Sequence, residues 1–222
     1  MSKVNSFLAG DSRSAKVCYV FGWTIVAGIT RLVTRADVIG KENIPKTGAF
    51  VLAPVHRSYV DTPLAALVTR RRMRFMGKDS MWKFKPVGWV LSALGAFPVS
   101  RGTADREALK RCINVLEQGQ PVVLFPEGER KSGDVVQPLY DGAAFVALKA
   151  GVPIIPVGIG GSEKVMPKDA RFIRFSKCHI VIGEPITTTA DESGRIPRST
   201  VKEVTDKLHS ELQLLFDQAS KK

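Results

Sequence analysis

The 222-residue sequence has little of what metal or disulfide chemistry requires. Its three cysteines, Cys18, Cys112 and Cys178, are far apart, odd in number and free of any C-x-x-C pair. That excludes a disulfide framework or a zinc site and suits a reducing compartment. Histidines are equally scarce, with only His56, His179 and His209, so a centre built from several imidazoles is excluded. Acidic residues are outnumbered, 21 Asp and Glu against 33 Lys and Arg, leaving a net charge of +12. No internal repeat, low-complexity tract or Gly/Ser linker divides the chain. What is present is ordinary for a globular domain: 44% hydrophobic and 24% charged residues, which excludes wholesale disorder and a many-span membrane protein. The length suits one domain with a helical appendage. The excess of positive charge calls for an anionic partner: nucleic acid, acidic lipid headgroups or a phosphorylated substrate.

Two segments bear on a lipid partner. Residues 17–30 are nearly charge-free between Lys16 and Arg31, yet short for a spanning helix of about 20 apolar residues and interrupted by Gly22, Gly28, Thr24 and Thr30. A signal peptide is excluded by the late start and the lack of an A-x-A site. The segment fits either a core helix or an amphipathic helix lying in the bilayer interface, with Tyr19 and Trp23 at headgroup level. Residues 70–89 interleave Arg70, Arg71, Arg72, Arg74, Lys78, Lys83 and Lys85 with Met73, Phe75, Met76, Met81, Trp82, Phe84 and Trp89. That pattern suits anionic headgroups, stacking on single-stranded nucleic acid, or a core with a solvated basic rim.

Beyond residue 34 short apolar runs alternate with helical periodicity. Strands are predicted at 48–53, 74–76, 96–99, 121–125, 153–159 and 178–182, mostly continuous apolar runs of the kind covered on both faces. Helices are predicted at 60–69, 82–94, 104–117, 142–149 and 200–218, the last with a capping box at Thr200 and Glu203 and a stripe of Val201, Val204, Leu208, Leu212 and Leu215. The expected fold is an α/β sandwich: one domain over 35–222, with a mostly parallel, partly mixed sheet flanked by helices, preceded by a membrane-associating helical segment over 1–34. Polar loops after the strand C-termini are the expected place for a site.

Three such loops carry chemistry. After the first strand, His56 and Asp61 stand five residues apart; an aspartate beside an imidazole fixes its tautomer and lets it accept a proton at neutral pH. A capping Asp61 with a structural His56 accounts for the same spacing. Next, Gly95-Ala-Phe-Pro-Val-Ser-Arg101 delivers an arginine, and Phe125-Pro-Glu-Gly-Glu-Arg130 delivers Glu127, Gly128 and Arg130. Guanidinium groups bind phosphate bidentately and glycine admits close backbone approach, whereas Glu127 can equally hold a neighbouring arginine as an ion pair.

In order, H-x-x-x-x-D, G-x-F-x-V-x-R, F-P-E-G-x-R and the apolar V-P-I-I-P-V strand resemble the four motifs of the glycerophospholipid acyltransferases, the 1-acylglycerol-3-phosphate acyltransferase family, over roughly residues 36–185. The resemblance implies that His56 is the general base and Asp61 its partner, and that Arg101, Glu127, Gly128 and Arg130 form the acceptor's phosphate site, with Lys78 as a further phosphate contact. It implies acyl transfer from acyl-CoA or acyl carrier protein to the free hydroxyl of lysophosphatidic acid or a related phosphorylated glycerol, giving phosphatidic acid, with no metal or other cofactor. Glycerol 3-phosphate and other lysophospholipids or glycolipids are alternative acceptors. Val55, Arg57, Glu129 and Lys131 depart from the family's usual residues, and Arg57, Glu129 and Lys131 are expected to flank the headgroup.

The implied setting is the cytoplasmic face of a membrane, peripheral or monotopic, on an anionic surface. A nucleic-acid partner is not expected, because no RNP, helix-turn-helix or zinc pattern is present. A non-catalytic lipid-binding protein is disfavoured by His56, Asp61 and Glu127 occurring together. Ser58 lacks a G-x-S-x-G elbow and is expected to support the loop rather than attack substrate.

Overall fold

A computed structural model of the chain describes residues 13–99, 106–167, 170, 172–188 and 196–221. Among them, seven strands form one sheet in the order β1-β7-β6-β2-β5-β3-β4. These are β1 (Asp37–Ile39), β2 (Val51–Pro54), β3 (Arg74–Lys78), β4 (Ala96–Val99), β5 (Val122–Val123), β6 (Ile154–Gly160) and β7 (His179–Ile182). All adjacent pairs are parallel except β6 with β7. The expected mixed α/β class is therefore what the chain adopts. Every residue of β2 and β6 is buried, which is why both read as unbroken apolar runs.

The helices are α1 (Arg13–Thr34), α2 (Asp61–Ala66), α3 (Lys85–Ala93), α4 (Arg106–Glu117), α5 (Gly142–Ala150), the single turn α6 (Ser162–Val165) and α7 (Arg198–Ser220). Helices α2 and α3 both pack against α1, while α4 packs against α5 and α5 against α7, so the two groups cover opposite faces of the sheet. The chain leaves β2 toward β3 but returns from β5 across β2 to β6. The chain thus leaves β2 and β5 in opposite directions, a topological switch point at the C-terminal edge of the sheet.

Several details depart from the sequence reading. β1 is too short to leave a pattern; it is an edge strand made by pairing with β7. The helix expected from Thr200 begins at Arg198, because Pro197, at φ −63° and ψ 143°, ends the extended chain and its carbonyl accepts the Val201 N–H at 3.2 Å. Thr200 and Glu203 therefore lie within the helix and form no capping box. The apolar stripe of α7 docks on β6 and β7 as expected, with Val201, Leu208, Leu212 and Leu215 buried.

Glycine makes that docking close. A Cβ on Gly158 would stand 2.3 Å from the Leu215 carbonyl, and one on Gly160 would stand 2.3 Å from the Ala219 carbonyl oxygen. Gly158→Ala is accordingly expected to lower the unfolding free energy by about 1–3 kcal/mol, the usual cost of overpacking. Urea titration checks this, and an unchanged midpoint would mean that α7 can lift from β6 freely.

Candidate active site

The central strand β2 carries the chain through the core and releases it at the C-terminal edge, where His56 emerges two residues after Pro54. The chain turns at once into α2, and Asp61, the first residue of that helix, is fully buried. One carboxylate oxygen organises the turn. Asp61 Oδ2 accepts the backbone N–H of Arg57 at 2.5 Å and of Ser58 at 2.6 Å, and lies 3.1 Å from His56 Nδ1. Because a carboxylate only accepts, this contact assigns the proton to Nδ1 and leaves the Nε2 lone pair free. The imidazole stacks on Phe125, with ring centroids 4.1 Å apart, and retains 15% exposure. Asp61 is not a helix cap, since Val60 holds the cap position and no side chain bonds there; its Oδ2 instead holds the preceding turn and orients the ring.

The loop after β5 closes on this turn. His56 N–H donates to Glu127 Oε2 at 2.9 Å, and Lys131 N–H donates to the His56 carbonyl at 2.9 Å. Glu127 is completely buried; Arg57 Nη1 reaches its two oxygens at 2.8 and 2.7 Å, and Oε1 also accepts the Gln137 N–H at 3.1 Å. The expectation that Glu127 contacts the acceptor's phosphate is therefore corrected by its placement: it offers no surface, and its charge is spent on Arg57. Arg57, expected beside the headgroup, is itself only 1% exposed. Its guanidinium also donates to the carbonyls of Gly133 and Val135 and lies over the Phe216 ring at 4.9 Å. Nothing in the motif spacing marks this role. A guanidinium's five donors are what allow one buried side chain to tie the 127–137 loop to the histidine turn.

Arg130 remains half-exposed, its guanidinium 3.5 Å from the centroid of the Tyr59 ring. This cation–π contact places a fixed positive charge against the His56 turn. Gly128 is exposed with φ 71°, and a Cβ there would stand 2.7 Å from the Tyr140 ring, so the left-handed turn and the tyrosine beside it both require glycine. Tyr59 and Tyr140 are neighbours that no motif position announced. Glu129 and Lys131 pair with each other at 2.7 Å, and that hydrogen bond raises the Lys131 pKa, keeping the ammonium charged.

Lys78 ends β3 opposite Val99 of β4, on the same edge of the sheet as His56 and about 10 Å away by strand spacing; its side chain is outside the described residues, as is Arg101 altogether. Ser58 donates its hydroxyl to the Met166 carbonyl at 2.6 Å, a loop-supporting role. The other two histidines lie elsewhere, His179 buried near Asp37 and His209 bonded to the Val136 carbonyl. Burial pushes the thiols of Cys112 and Cys178 up to about 12. Among the described residues no group of three or more His, Cys, Asp or Glu is placed to hold a metal. A cavity of about 540 Å³ lies between β6, β7 and α7, with Arg57 in its wall, and does not include His56.

The basic segment 70–89 divides in two. Arg71 donates to the carbonyls of Pro45 and Gly48, Arg72 to those of Ser92 and Ala93, and Arg74 to Gln120 Oε1. These arginines bind the chain itself, which removes them from any lipid-facing set. Lys83, Lys85, Phe84, Val87, Trp89 and Val90 are exposed. Likewise Tyr19 and Trp23 turn inward, donating to the carbonyls of Arg71 and Ala66, instead of standing at headgroup level.

The site is thus an oriented His–Asp pair on the loop after the central strand of a mixed α/β sheet, with Arg130 beside it. The chain belongs to the acyltransferase family, whose sequence model matches residues 35–160. It is 30% identical over 169 residues to the 1-acyl-sn-glycerol-3-phosphate acyltransferase of Bacillus subtilis, covering 76% of this chain and 82% of that protein. A chloroplastic 1-acyl-sn-glycerol-3-phosphate acyltransferase of Brassica napus is 29% identical over 156 residues, covering 68% of this chain. The match spans less than half of the plant protein's length, 45%. The crystal structure of the 1-acyl-sn-glycerophosphate acyltransferase of Thermotoga maritima shares the fold, with a TM-score of 0.72 over 95% of this chain and 85% of that one, at 24% identity.

Proposed function

We propose that the protein transfers a fatty acyl chain from acyl-CoA or an acyl carrier protein thioester to the free hydroxyl of lysophosphatidic acid, giving phosphatidic acid at a membrane surface. The observation that carries this reading is Asp61 Oδ2 at 3.1 Å from His56 Nδ1, which leaves Nε2 as the acceptor of a proton. His56 Nε2 takes the acceptor's hydroxyl proton as the oxygen attacks the thioester carbonyl. The C–S bond then breaks, and the thiolate leaves with the proton returned by the imidazolium. No acyl-enzyme intervenes. Arg130, with Arg101 and Lys78, holds the acceptor phosphate and so fixes the hydroxyl near His56, which is catalysis by orientation.

The membrane setting rests on α1. It is long and apolar enough to cross a bilayer by length and composition, yet one face packs on the domain through Tyr19 and Trp23. The opposite face exposes Val17, Phe21, Ile25, Ile29 and Leu32. A helix apolar on both faces, bound to the domain along one of them, lies in the interface with the other in the acyl boundary. Three free thiols agree with the cytoplasmic side.

The test is a panel of lysophosphatidic acid, glycerol 3-phosphate and lysophospholipid acceptors with acyl-CoA and acyl carrier protein donors, read by product mass. Phosphatidic acid is expected as the main product. Arg130→Met is expected to raise KM for lysophosphatidic acid by about tenfold, the weight of a hydrogen bond to a charged group, while the donor KM is unchanged. Equal rates on acceptors lacking a phosphate monoester would sink the acceptor assignment.

A further inference from the structure

Between α6 and β7 the chain reads Phe172-Ile-Arg-Phe-Ser-Lys177 and pairs with no strand among the described residues. Three large apolar side chains fall within four positions, and all are exposed: Phe172 at 81%, Ile173 at 54% and Phe175 at 70%. The backbone around them is tied down. Arg174 N–H donates to the Val165 carbonyl at 2.9 Å, Ser176 N–H to that of Val33 at 3.3 Å and Cys178 N–H to that of Thr34 at 2.9 Å. The loop therefore cannot turn these side chains inward without breaking bonds to α6 and to the last turn of α1. On that turn the apolar face of α1 ends in Ile29 and Leu32, 58% and 69% exposed. At its other end the loop leads to Met166, whose carbonyl holds Ser58 of the histidine turn.

Charge selects the occupant. Lys164 and Arg174 are exposed around the aromatic residues, Lys177 is exposed beside Asp37, and Arg31 and Arg35 are exposed at the end of α1. Cations interleaved with exposed Phe and Ile suit an anionic bilayer interface, where headgroups meet the charges and the acyl boundary takes the rings. We propose that residues 172–175 form a second membrane-inserting element, entering an anionic bilayer beside the C-terminal turn of α1. One helix lying in the interface leaves the domain free to roll about the helix axis. A second insertion point removes that freedom and holds the His56 turn toward the lipid surface.

This inference rests on the reading of the protein as a membrane-surface enzyme, and its test separates the two. Wild type, an F21D/I25D variant of α1 and an F172S/I173S/F175S variant are compared by flotation with vesicles of phosphatidylcholine containing about 30% phosphatidylglycerol, an anionic surface, and with pure phosphatidylcholine. Thermal melts confirm that each variant is folded. Wild type is expected to bind the anionic vesicles, and the loop variant to bind them about 10- to 100-fold more weakly, in proportion to the apolar surface withdrawn. NBD attached to the F172C variant in a C18S background is expected to brighten and shift to the blue when the vesicles are added. A wild type that binds neither vesicle overturns both readings. If the α1 variant loses binding while the loop variant keeps it and the NBD signal does not move, the loop proposal falls and the membrane reading stands. A loop variant that binds vesicles normally but sediments as a smaller species would instead make the patch a contact between copies, which also overturns the proposal.

Discussion

Replacing His56 by alanine is expected to lower kcat by about 10²–10⁴-fold, the range for loss of a general base, with KM for both substrates changed only a few-fold. The ring touches Asp61, Phe125 and solvent, and its backbone N–H to Glu127 survives the substitution, so the turn keeps its shape. Asp61→Asn is the sharper variant. Asp61 Oδ2 accepts two backbone N–H groups as well as facing Nδ1, and an amide oriented to keep those two bonds still presents oxygen to the ring. Turned the other way, its NH₂ forces the opposite tautomer and loses both backbone bonds. In either orientation the carboxylate charge that stabilises the imidazolium is gone, and in the first the NH₂ takes the place of Oδ1, which is buried without a hydrogen-bond partner, so a fall of kcat by about 10²-fold or more together with a lower melting temperature is expected. Steady-state kinetics beside thermal melts check both variants, and wild-type turnover in either would remove His56 and Asp61 from the chemistry.

The second large effect concerns the buried pair behind the histidine. Arg57→Met leaves Glu127 charged, fully buried and without its guanidinium, and should cost about 3–5 kcal/mol of stability. Glu127→Gln should cost less, since the amide oxygen can still accept the His56 N–H while Arg57 keeps its bonds to Gly133 and Val135. The double variant R57M/E127Q should recover part of the loss, giving a positive coupling in a double-mutant cycle read by urea denaturation. Activity should recover less than stability, because the 127–137 loop that carries Arg130 then keeps only its bonds to the His56 backbone and loses the guanidinium that tied Gly133 and Val135 to the turn. An R57M protein within about 1 kcal/mol of wild type, the scale of a surface pair, would show that the pair is dispensable.

These expectations mark how far local sequence carried. The apolar runs at 48–53 and 153–159 announced buried strands because both faces are covered, and the stripe of α7 announced its docking face. β1 and the start of α7 were not legible. The first exists only through pairing with β7, and the second depends on Pro197 rather than on the residues that resemble a cap. At the site, the motifs set His56 and Asp61 on the loop after one strand and Arg130 on the loop after another, and the structure brings those two loops together. The motifs left Glu127 open between a phosphate contact and an ion pair, and they set Arg57 beside the headgroup, because an exposed and a buried arginine are the same letter, and only the approach of the β5 loop to the β2 turn decides which one meets a carboxylate.

The arginine cluster at 70–74 teaches the same point, since Arg71 and Arg72 are consumed by backbone carbonyls and Arg74 by the Gln120 side chain, all about 20 or more residues away in sequence. The sequence alone determined the α/β class, the family motifs and the scarcity of thiols and imidazoles, all of which are properties of residue type and short spacing. Tertiary structure alone decided which charges face outward, which aromatic residues anchor α1 to the domain and which remain exposed, and that one oxygen of Asp61 both holds a turn and orients a base. Burial and pairing are long-range properties, fixed by which elements the sheet brings together, and no local pattern encodes them.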